Sequence, residues 1–370
     1  MARINPYIEN YRLKDYAGMD TSHCVVDCSL GVNPQPLPRS VMERLARISE
    51  ETVKSYPHDL QLLNALCRHF SPVVDLKPEN LWLGGGSFDL LSHINLLYAG
   101  PGRRILSYAP QFSAYADNAR LIGADYVFYP LERRKNYAFD IEAFIACLRE
   151  RKPDLVCVEN PNNPTGQIIA SADIEKILQA ADEVGAAVVV DEAYGEYMPM
   201  ENSAIRYVTR YEHVFVTRTF SKGYGMAGIR LGYAAGSTTA MGQLRKLITP
   251  YNAGTLPREL AMEILACPNY TVDLCAATES LNRRFLEALR EPGLSKFKVA
   301  ATSLSTPINL LYVENESVDL QRLLAEVGIA AVSGLSFDNL GANAVRIMIG
   351  SEDKLDLLLE RLRLAAERLP

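Results

Sequence analysis

The chain has 370 residues, of which 48% are hydrophobic and 22% are charged, a composition typical of a globular protein long enough for two domains. Its formal net charge is −6 at pH 7. Because its lysines and arginines form no dense block, no nucleic-acid partner is expected.

The cysteines predict a reducing environment and no metal site. Seven cysteines are scattered along the chain, and the neighbours Cys24 and Cys28 have no second Cys or His pair at zinc-site spacing. Such thiols are typical of cytoplasmic proteins. The N-terminus lacks a basic-then-apolar signal pattern, and no apolar run is long enough to cross a bilayer. We therefore expect a cytoplasmic protein without a membrane partner.

The first part of the chain is predicted to be irregular and then helical. Prolines and glycines interrupt residues 1 to 35, so a long helix is not expected there. Apolar residues at helical spacing predict helices over residues 40–53 and about 60–70.

From about residue 80 onward, short apolar runs alternate with amphipathic stretches. The predicted strands cover residues 80–83, 104–108, 126–129, 155–159, 187–191, 214–217 and 231–235. The main predicted helices between them cover residues 89–98, 114–122, 141–148 and 173–184. This alternation predicts an α/β fold with a mostly parallel seven-stranded sheet flanked by helices. Ligands of such sheets bind beyond the carboxyl ends of the strands.

The last third predicts a smaller α+β domain. Helices are predicted over residues 241–248, 258–266 and 271–289. They are followed by a strand over 308–313, a helix over 320–327, a strand over 345–349 and a helix over 351–368.

Polar motifs follow several of the predicted strands. An Asn-Pro-Asn-Asn-Pro-Thr-Gly run occupies residues 160–166, Asp191-Glu192-Ala193-Tyr194 follows the next strand, and Thr219-Phe220-Ser221-Lys222 follows another. A lysine amine can form a Schiff base with a carbonyl. The hydroxyls of Thr219 and Ser221, together with Arg230 further along the chain, are groups that can bind a phosphate. A glycine turn at 84–86 precedes an apolar helix; it is either an anion site at a helix start or a flexible loop.

In this order and spacing, the three motifs resemble the signature of the fold-type I pyridoxal phosphate (PLP) enzymes. They are similar to the aminotransferase class I/II family, and in particular to its histidinol-phosphate aminotransferase and threonine-phosphate decarboxylase branch. The resemblance covers nearly the whole chain. It implies an aspartate aminotransferase-like fold with PLP as cofactor: a large PLP-binding domain over residues 36–255, a small domain over 256–370, and an arm over 1–35 associated with the small domain.

The resemblance also implies roles around the PLP ring. Lys222 would carry the Schiff base and then move the proton at the substrate Cα. Asp191 would pair with the pyridine nitrogen. Tyr194 and Asn163 would donate hydrogen bonds to the 3′ oxygen of the ring, and Phe112 would stack on the ring unless it is simply a core residue.

The phosphate of PLP would be held by the glycine turn and by groups around the lysine. The residues implied are Gly86, Ser87, Phe88, Thr219, Ser221 and Arg230. Tyr56 matches a family tyrosine that reaches the phosphate in the neighbouring subunit, which implies a homodimer with shared active sites. The alternative for Tyr56 is a turn residue before Pro57.

On the substrate side, Arg346 matches the family arginine that binds a carboxylate, and Asn33 and Tyr7 match residues beside the substrate. Two places depart from the histidinol-phosphate branch. Gly31-Val32 stands where that branch has Asn-Glu, and residues 331–334 lack the arginine used on a substrate phosphate. A phosphorylated substrate is therefore not expected.

The resemblance implies an aminotransferase that moves an amino group between an amino acid or related amine and a 2-oxo acid. If Arg346 holds the carboxylate in the plane of the ring, cleavage of the Cα–H bond is favoured over loss of CO2. A PLP-dependent lyase, cyclase or decarboxylase on the same scaffold is the alternative. A PLP-storage protein would not need Arg346.

Overall fold

The computed structural model of the chain describes residues 4–9, 11–13, 21, 23–57 and 60–369. Strands within these ranges form a seven-stranded, a four-stranded and a two-stranded sheet. They are β1 (Val26–Asp27), β2 (Leu81–Gly84), β3 (Arg104–Ala109), β4 (Asp125–Pro130), β5 (Leu155–Glu159), β6 (Ala187–Asp191), β7 (Val214–Thr219), β8 (Gly232–Gly236), β9 (Phe297–Val299), β10 (Ile308–Val313), β11 (Ile329–Ala330), β12 (Val332–Ser333) and β13 (Ala344–Met348).

The α-helices of the same ranges lie between and after these strands. They are α1 (Pro6–Glu9), α2 (Arg39–Ala46), α3 (Glu50–Lys54), α4 (Gln61–Phe70), α5 (Ser87–Tyr98), α6 (Ser113–Leu121), α7 (Ile141–Arg151), α8 (Ser171–Val184), α9 (Thr238–Leu244), α10 (Thr255–Leu265), α11 (Asn269–Ala288), α12 (Leu320–Glu326) and α13 (Glu352–Arg368). Within the part of the chain described, none of them is long and apolar enough to span a membrane.

The large sheet has the order β2-β8-β7-β6-β5-β3-β4. All neighbours from β7 to β4 run parallel, whereas β8 is antiparallel to both β7 and β2. The prediction of a mostly parallel seven-stranded sheet is therefore confirmed. The carboxyl ends of β5, β6 and β7 meet at one edge, which brings the segments that follow them together.

Helices cover both faces of this sheet because its strands are apolar on both sides. In β5, Leu155 and Cys157 pack with α5, α6 and α9 on one face. Val156 and Val158 pack with α4, α7 and α8 on the other. Fully buried strands of this kind need helices on each face.

The smaller sheet has the order β12-β13-β10-β9 and is antiparallel throughout. Its outer layer contains α11, α12 and α13, whose apolar side chains form a separate core. The arm reaches this unit because β1 pairs in parallel with β11.

Some predicted elements were wrong in detail. The single helix over 40–53 is two helices, α2 and α3, and the second begins where the Ser49 side chain accepts a hydrogen bond from the Thr52 N–H. The helix predicted over 241–248 begins earlier, because Ser237 caps α9 through the Ala240 N–H, and it ends at Leu244. Strands β1, β9, β11 and β12 were not predicted; they have two or three residues, too few for a periodic pattern.

The boundary between the domains at residue 255 stays a prediction. Helix α10 begins there but packs against α2 and α4. Its residues Leu260, Ala261 and Ile264 belong to the core of the large sheet. This packing favours a boundary beyond Leu265.

Candidate active site

Lys222 lies on the turn that follows β7, near the end of β6. Its backbone oxygen accepts hydrogen bonds from the N–H of Gly225 at 3.0 Å and from the N–H of Asn33 at 3.1 Å. The Lys222 Nζ atom lies 5.6 Å from the centroid of the Tyr194 ring. The turn and the arm therefore fix the backbone of Lys222, while its amine points towards Tyr194.

Asp191 ends β6 and is buried beside this lysine. The Thr217 hydroxyl donates a hydrogen bond to its Oδ1 at 3.0 Å. Burial raises the pKa of Asp191 to about 6, although the Thr217 hydroxyl and the charge of Lys222 act in the opposite direction. A buried carboxylate of this kind is stabilised by a cationic nitrogen close to it, which is what a protonated pyridine would supply.

Tyr194 and Asn163 are both buried near Lys222 and Asp191. Burial raises the pKa of the Tyr194 hydroxyl to about 12, and the charge of Arg346 acts against this. The side-chain Oδ1 of Asn163 is buried and has no hydrogen-bond partner among the described residues. Because an unpaired buried amide oxygen is costly, a group that donates a hydrogen bond to this oxygen would fit this position.

The glycine turn and the Arg230 turn meet at the start of α5. Gly86 precedes the helix with φ of 107°, and a Cβ there would come within 2.9 Å of the Arg230 Nη2 atom. The Arg230 Nη1 atom lies 3.4 Å from the Ser221 hydroxyl and donates to the Ala227 oxygen at 2.9 Å. N–H groups at a helix start, a hydroxyl and a guanidinium together suit a phosphate.

Thr219, Phe88 and Phe112 surround these groups. The Thr219 hydroxyl lies 2.9 Å from that of Ser221, so it holds Ser221 in place. Phe88 and Phe112 contact each other edge to face, with ring centroids 5.9 Å apart. Phe112 directly precedes α6 and is half-buried, so it can offer part of its surface to a ligand.

Arg346 is in the middle of β13 and only 3% exposed. Its neighbours across the sheet are Leu310 on β10 and Val332 on β12. The Nε and Nη1 atoms are buried without a hydrogen-bond partner in the described chain. A buried guanidinium without such partners is costly, so an oxyanion ligand fits this position.

The other predicted substrate residues have different surroundings. The Asn33 side chain donates to the Gly223 oxygen at 2.9 Å and lies 3.0 Å from the Tyr270 hydroxyl, so it supports the turn of Lys222. The Tyr7 ring lies against Gly123 and is 44% exposed. Gly123 follows the C-terminal end of α6, and the predicted place of Tyr7 beside the substrate stays a prediction.

Tyr56 lies on the surface of the chain. It is 67% exposed and packs against Tyr251, with ring centroids 4.6 Å apart. The structure therefore does not bring Tyr56 to Lys222 of the same chain, and its predicted role in a neighbouring subunit stays a prediction.

Two residues of the site were not predicted. A Cβ on Gly31 would overlap the Tyr194 hydroxyl and would lie 3.5 Å from Lys222 Nζ, so Gly31 leaves room for both groups. Glu159 ends β5 next to Asp191 on β6. The sequence feature that could have pointed to Glu159 is its position, since it is an acidic residue at the end of a predicted strand that is otherwise apolar.

Comparisons with known proteins agree with these observations. The family model described as "Aminotransferase class I and II" matches residues 25–362. A histidinol-phosphate aminotransferase from Methylibium petroleiphilum is 32% identical, covering 90% of this chain and 86% of the relative. One from Ruminiclostridium cellulolyticum is 30% identical, with 89% of each chain covered. The structure of a Sinorhizobium meliloti histidinol-phosphate aminotransferase in complex with pyridoxal-5′-phosphate has a TM-score of 0.83 at 21% identity, covering 100% of this chain and 99% of its own.

Proposed function

The chain belongs to the class I and II aminotransferase family and is a PLP-dependent aminotransferase, and we propose that Lys222 is the residue that carries its cofactor. One observation carries this proposal: the lysine follows β7 at the sheet edge where the buried carboxylate of Asp191 ends β6. Bound PLP supplies an aldehyde that condenses with amines and a ring that withdraws electrons from the substrate Cα.

The residues around Lys222 hold the two sides of the ring. Asp191 would pair with the pyridine nitrogen and keep it protonated. The amide N–H of Asn163 and the Tyr194 hydroxyl would donate to the 3′ oxygen, and Phe112 would cover one face of the ring. The amine of Lys222 would act as the base and acid that moves a proton at the substrate Cα.

The phosphate of PLP would be held at the start of α5. The N–H groups of Gly86, Ser87 and Phe88 would donate to it, and Ser221 and Arg230 would complete the site, with Thr219 supporting Ser221. This arrangement is supported by the contacts of 3.4 Å that Arg230 makes with the Ser221 hydroxyl and with the Gly85 oxygen of the glycine turn.

Arg346 binds the carboxylate of the substrates. Its Nε and Nη1 atoms have no partner among the described residues, and a guanidinium can bind one carboxylate through two donors on the same edge. The 2-oxo acid that accepts the amino group carries the same carboxylate. Because the neighbours of Arg346 in the sheet are Leu310 and Val332, we propose that the amino donor is an α-amino acid whose side chain is not anionic.

Histidinol phosphate is the second candidate donor. The relatives named above are histidinol-phosphate aminotransferases, which favours it. It has a phosphate ester of a primary alcohol in place of the α-carboxylate, so it would place a phosphate near Arg346 where an amino acid places a carboxylate.

A donor panel tests the proposal. The purified protein with PLP is incubated with 2-oxoglutarate and with neutral amino acids, acidic amino acids or histidinol phosphate, and glutamate formation is measured. With a neutral amino acid as donor, we expect one glutamate to form for each donor consumed, without release of CO2 or ammonia. Activity confined to histidinol phosphate would replace the first candidate by the second. Release of CO2 or ammonia without glutamate would support a decarboxylase or lyase instead.

We also propose that the protein is a cytoplasmic homodimer. Tyr56, Leu60 and Tyr251 are exposed together, beside an apolar cavity of about 270 Å³ lined by Trp82 and other residues. A second copy of the chain would cover this surface and bring Tyr56 to the PLP phosphate of its partner. Buried thiols such as Cys28 and Cys157 are compatible with a reducing compartment.

A further inference from the structure

Glu159 is a buried acid that the proposed chemistry leaves without a role. It is 5% exposed and ends β5, and its Cα pairs in register with that of Asp191 on the parallel neighbour β6. Two carboxyl residues therefore occupy adjacent positions at the strand ends where the PLP ring is proposed to bind. Burying a second carboxyl group beside the first is unfavourable unless other groups bind it.

The bonds of the Glu159 carboxyl connect two separate segments of the site. Its Oε2 atom accepts a hydrogen bond from Asn162 Nδ2 at 2.9 Å and from the backbone N–H of Asn163 at 3.0 Å. The backbone N–H of Phe112 lies 3.3 Å from each carboxyl oxygen. One side chain therefore binds the turn that carries Asn163 and the residue before α6 that carries the Phe112 ring.

The surroundings favour the protonated form of this acid. Burial raises the pKa of Glu159 well above its ordinary value, the charge of Asp191 raises it further, and the N–H groups of Asn163 and Phe112 lower it. The other titratable groups that face it are Tyr108 on β3, Cys157 on β5 and Tyr194 after β6. These three are neutral at pH 7 because burial raises the pKa of each.

We propose that Glu159 is a positioning residue, which holds the Phe112 ring and the Asn163 amide at fixed places relative to Asp191 by accepting hydrogen bonds from both segments. The inference rests on the proposed roles of Phe112 and Asn163 towards PLP. What Glu159 contributes is an acceptor oxygen, and no negative charge is required of it.

Two substitutions separate the acceptor from the charge. Glu159→Gln keeps an acceptor oxygen of the same reach in a neutral side chain. Glu159→Met fills a similar volume but leaves the N–H groups of Phe112 and Asn163 without their acceptor. Glu142→Gln, at a side chain that is 75% exposed, is the matched control. PLP is removed and restored, and three quantities are measured: the Kd for PLP, the midpoint of the pH titration of visible absorbance, and the thermal midpoint of the PLP-free protein.

For Glu159→Gln we expect a Kd for PLP within about threefold of the wild-type value and an unchanged absorbance midpoint, because the acceptor is kept. For Glu159→Met we expect a Kd at least about tenfold higher and a shifted absorbance midpoint, since Asn163 and Phe112 lose their support. A purely structural role would lower the thermal midpoint of Glu159→Met without moving the absorbance titration.

Wild-type affinity and absorbance in Glu159→Met would overturn the inference. So would a loss in Glu159→Gln as large as that in Glu159→Met, because the charge would then be what matters. If Glu159→Met does not fold, Glu159→Gln decides: retained PLP affinity supports the acceptor role, and a tenfold loss overturns it. Failure of the wild-type protein to bind PLP through Lys222 would instead contradict the proposed function.

Discussion

Carboxyl groups crowd the edge of the sheet where the PLP ring is proposed to bind. Asp191 and Glu159 are adjacent on β6 and β5, and Glu192 and Glu196 form ion pairs with the buried Arg218. Burial raises the pKa of each of these four acids. Without a cation at the ring position, ionising Asp191 is therefore less favourable in the folded protein than in water.

The first prediction concerns the stability of the PLP-free protein. The pKa of Asp191 is about 6 when folded and 3.8 in its ordinary range. The folded state therefore binds this proton more tightly, and ionisation between pH 4 and pH 7 lowers the free energy of unfolding by roughly 2–3 kcal/mol. Asn cannot ionise. The wild-type protein should therefore lose this stability between pH 4 and pH 7, whereas Asp191→Asn should not. Measured by urea unfolding, the free energy of unfolding of Asp191→Asn relative to wild type should rise by about this amount over that range. A difference that does not change with pH would contradict it.

The second prediction concerns Arg346. Arg346→Lys keeps a charge but loses the two-pronged geometry, so kcat/KM for amino acids and 2-oxo acids should fall roughly 10- to 1,000-fold, or about 1.4–4 kcal/mol. The visible absorbance of the PLP-loaded protein should stay unchanged. Arg363→Lys, whose partner is Glu291 at the surface, is the control. If kcat/KM of Arg346→Lys fell equally for amines that have no carboxylate, Arg346 would not be the residue that binds the carboxylate.

The sequence motifs identified most of these residues, because each contains a chemically specific group at the end of a strand. Lys222 and Asp191 could be predicted in this way, whereas Arg346, in the middle of β13, was expected from its match to a family arginine. Glu159 and Gly31 could not, because their importance depends on the segments that the fold brings against them. The match of Tyr7 to a family position likewise does not reveal that its ring packs against Gly123, and its role beside the substrate stays a prediction.

At the scale of elements, two turns and one strand define the phosphate end of the site. Strand β8 runs beneath the glycine turn, and a Cβ on Gly232 would come within 2.6 Å of Gly86 C and of Ser87 N. Those atoms are backbone and have little freedom to move aside. Arg230 is two residues before Gly232 in the sequence. The close approach of β8 to the glycine turn therefore fixes the start of α5 relative to Arg230.

The third prediction follows from this contact. Gly232→Ala should destabilise the protein by roughly 1–3 kcal/mol and weaken PLP binding, because the added methyl group pushes the start of α5 away. Gly242 in α9 has open space at its Cβ position, so Gly242→Ala should be stabilising by about 0.5–1 kcal/mol and leave PLP binding unchanged. Urea unfolding and PLP titration measure both effects. If the two variants had the same stability and the same affinity for PLP, the contact between Gly232 and the start of α5 would not have the role described.

The central strands could be predicted with almost correct bounds, since fully buried apolar runs separated by amphipathic helices have few other interpretations. Strands β5 and β6 begin and end where predicted. The break between α2 and α3 was missed because Leu45 and Ile48 continue the helical spacing, whereas the Ser49 cap acts locally. Strands β11 and β12 depend on their partners β1 and β13, so their own residues do not predict them.

At the scale of the whole molecule, we propose that the active site is shared between two chains. Within one chain Tyr56 is at the surface, and its neighbour Tyr251 is also exposed. If the partner's phosphate site receives Tyr56, each site contains one chain's Lys222 and the other chain's Tyr56.

The fourth prediction tests this sharing by complementation. Lys222→Ala and Tyr56→Ala chains are co-expressed with different affinity tags, and the mixed dimer is purified through both tags. It contains one site with both mutations and one intact site, so its activity should be about half that of wild type, although each parent dimer is nearly inactive. A mixed dimer as inactive as its parents would show that Tyr56 serves the site of its own chain.

The measurement that tests the central claim most directly is the visible absorbance of the purified protein with PLP, recorded for wild type and for Lys222→Ala. We predict that the wild-type protein is yellow, that an amino-acid donor bleaches the colour, and that a 2-oxo acid restores it. Reduction with borohydride should attach the cofactor to Lys222, as detected by peptide mass spectrometry. A wild-type protein that stays colourless with PLP, or a cofactor attached to another lysine, would contradict the assignment of Lys222.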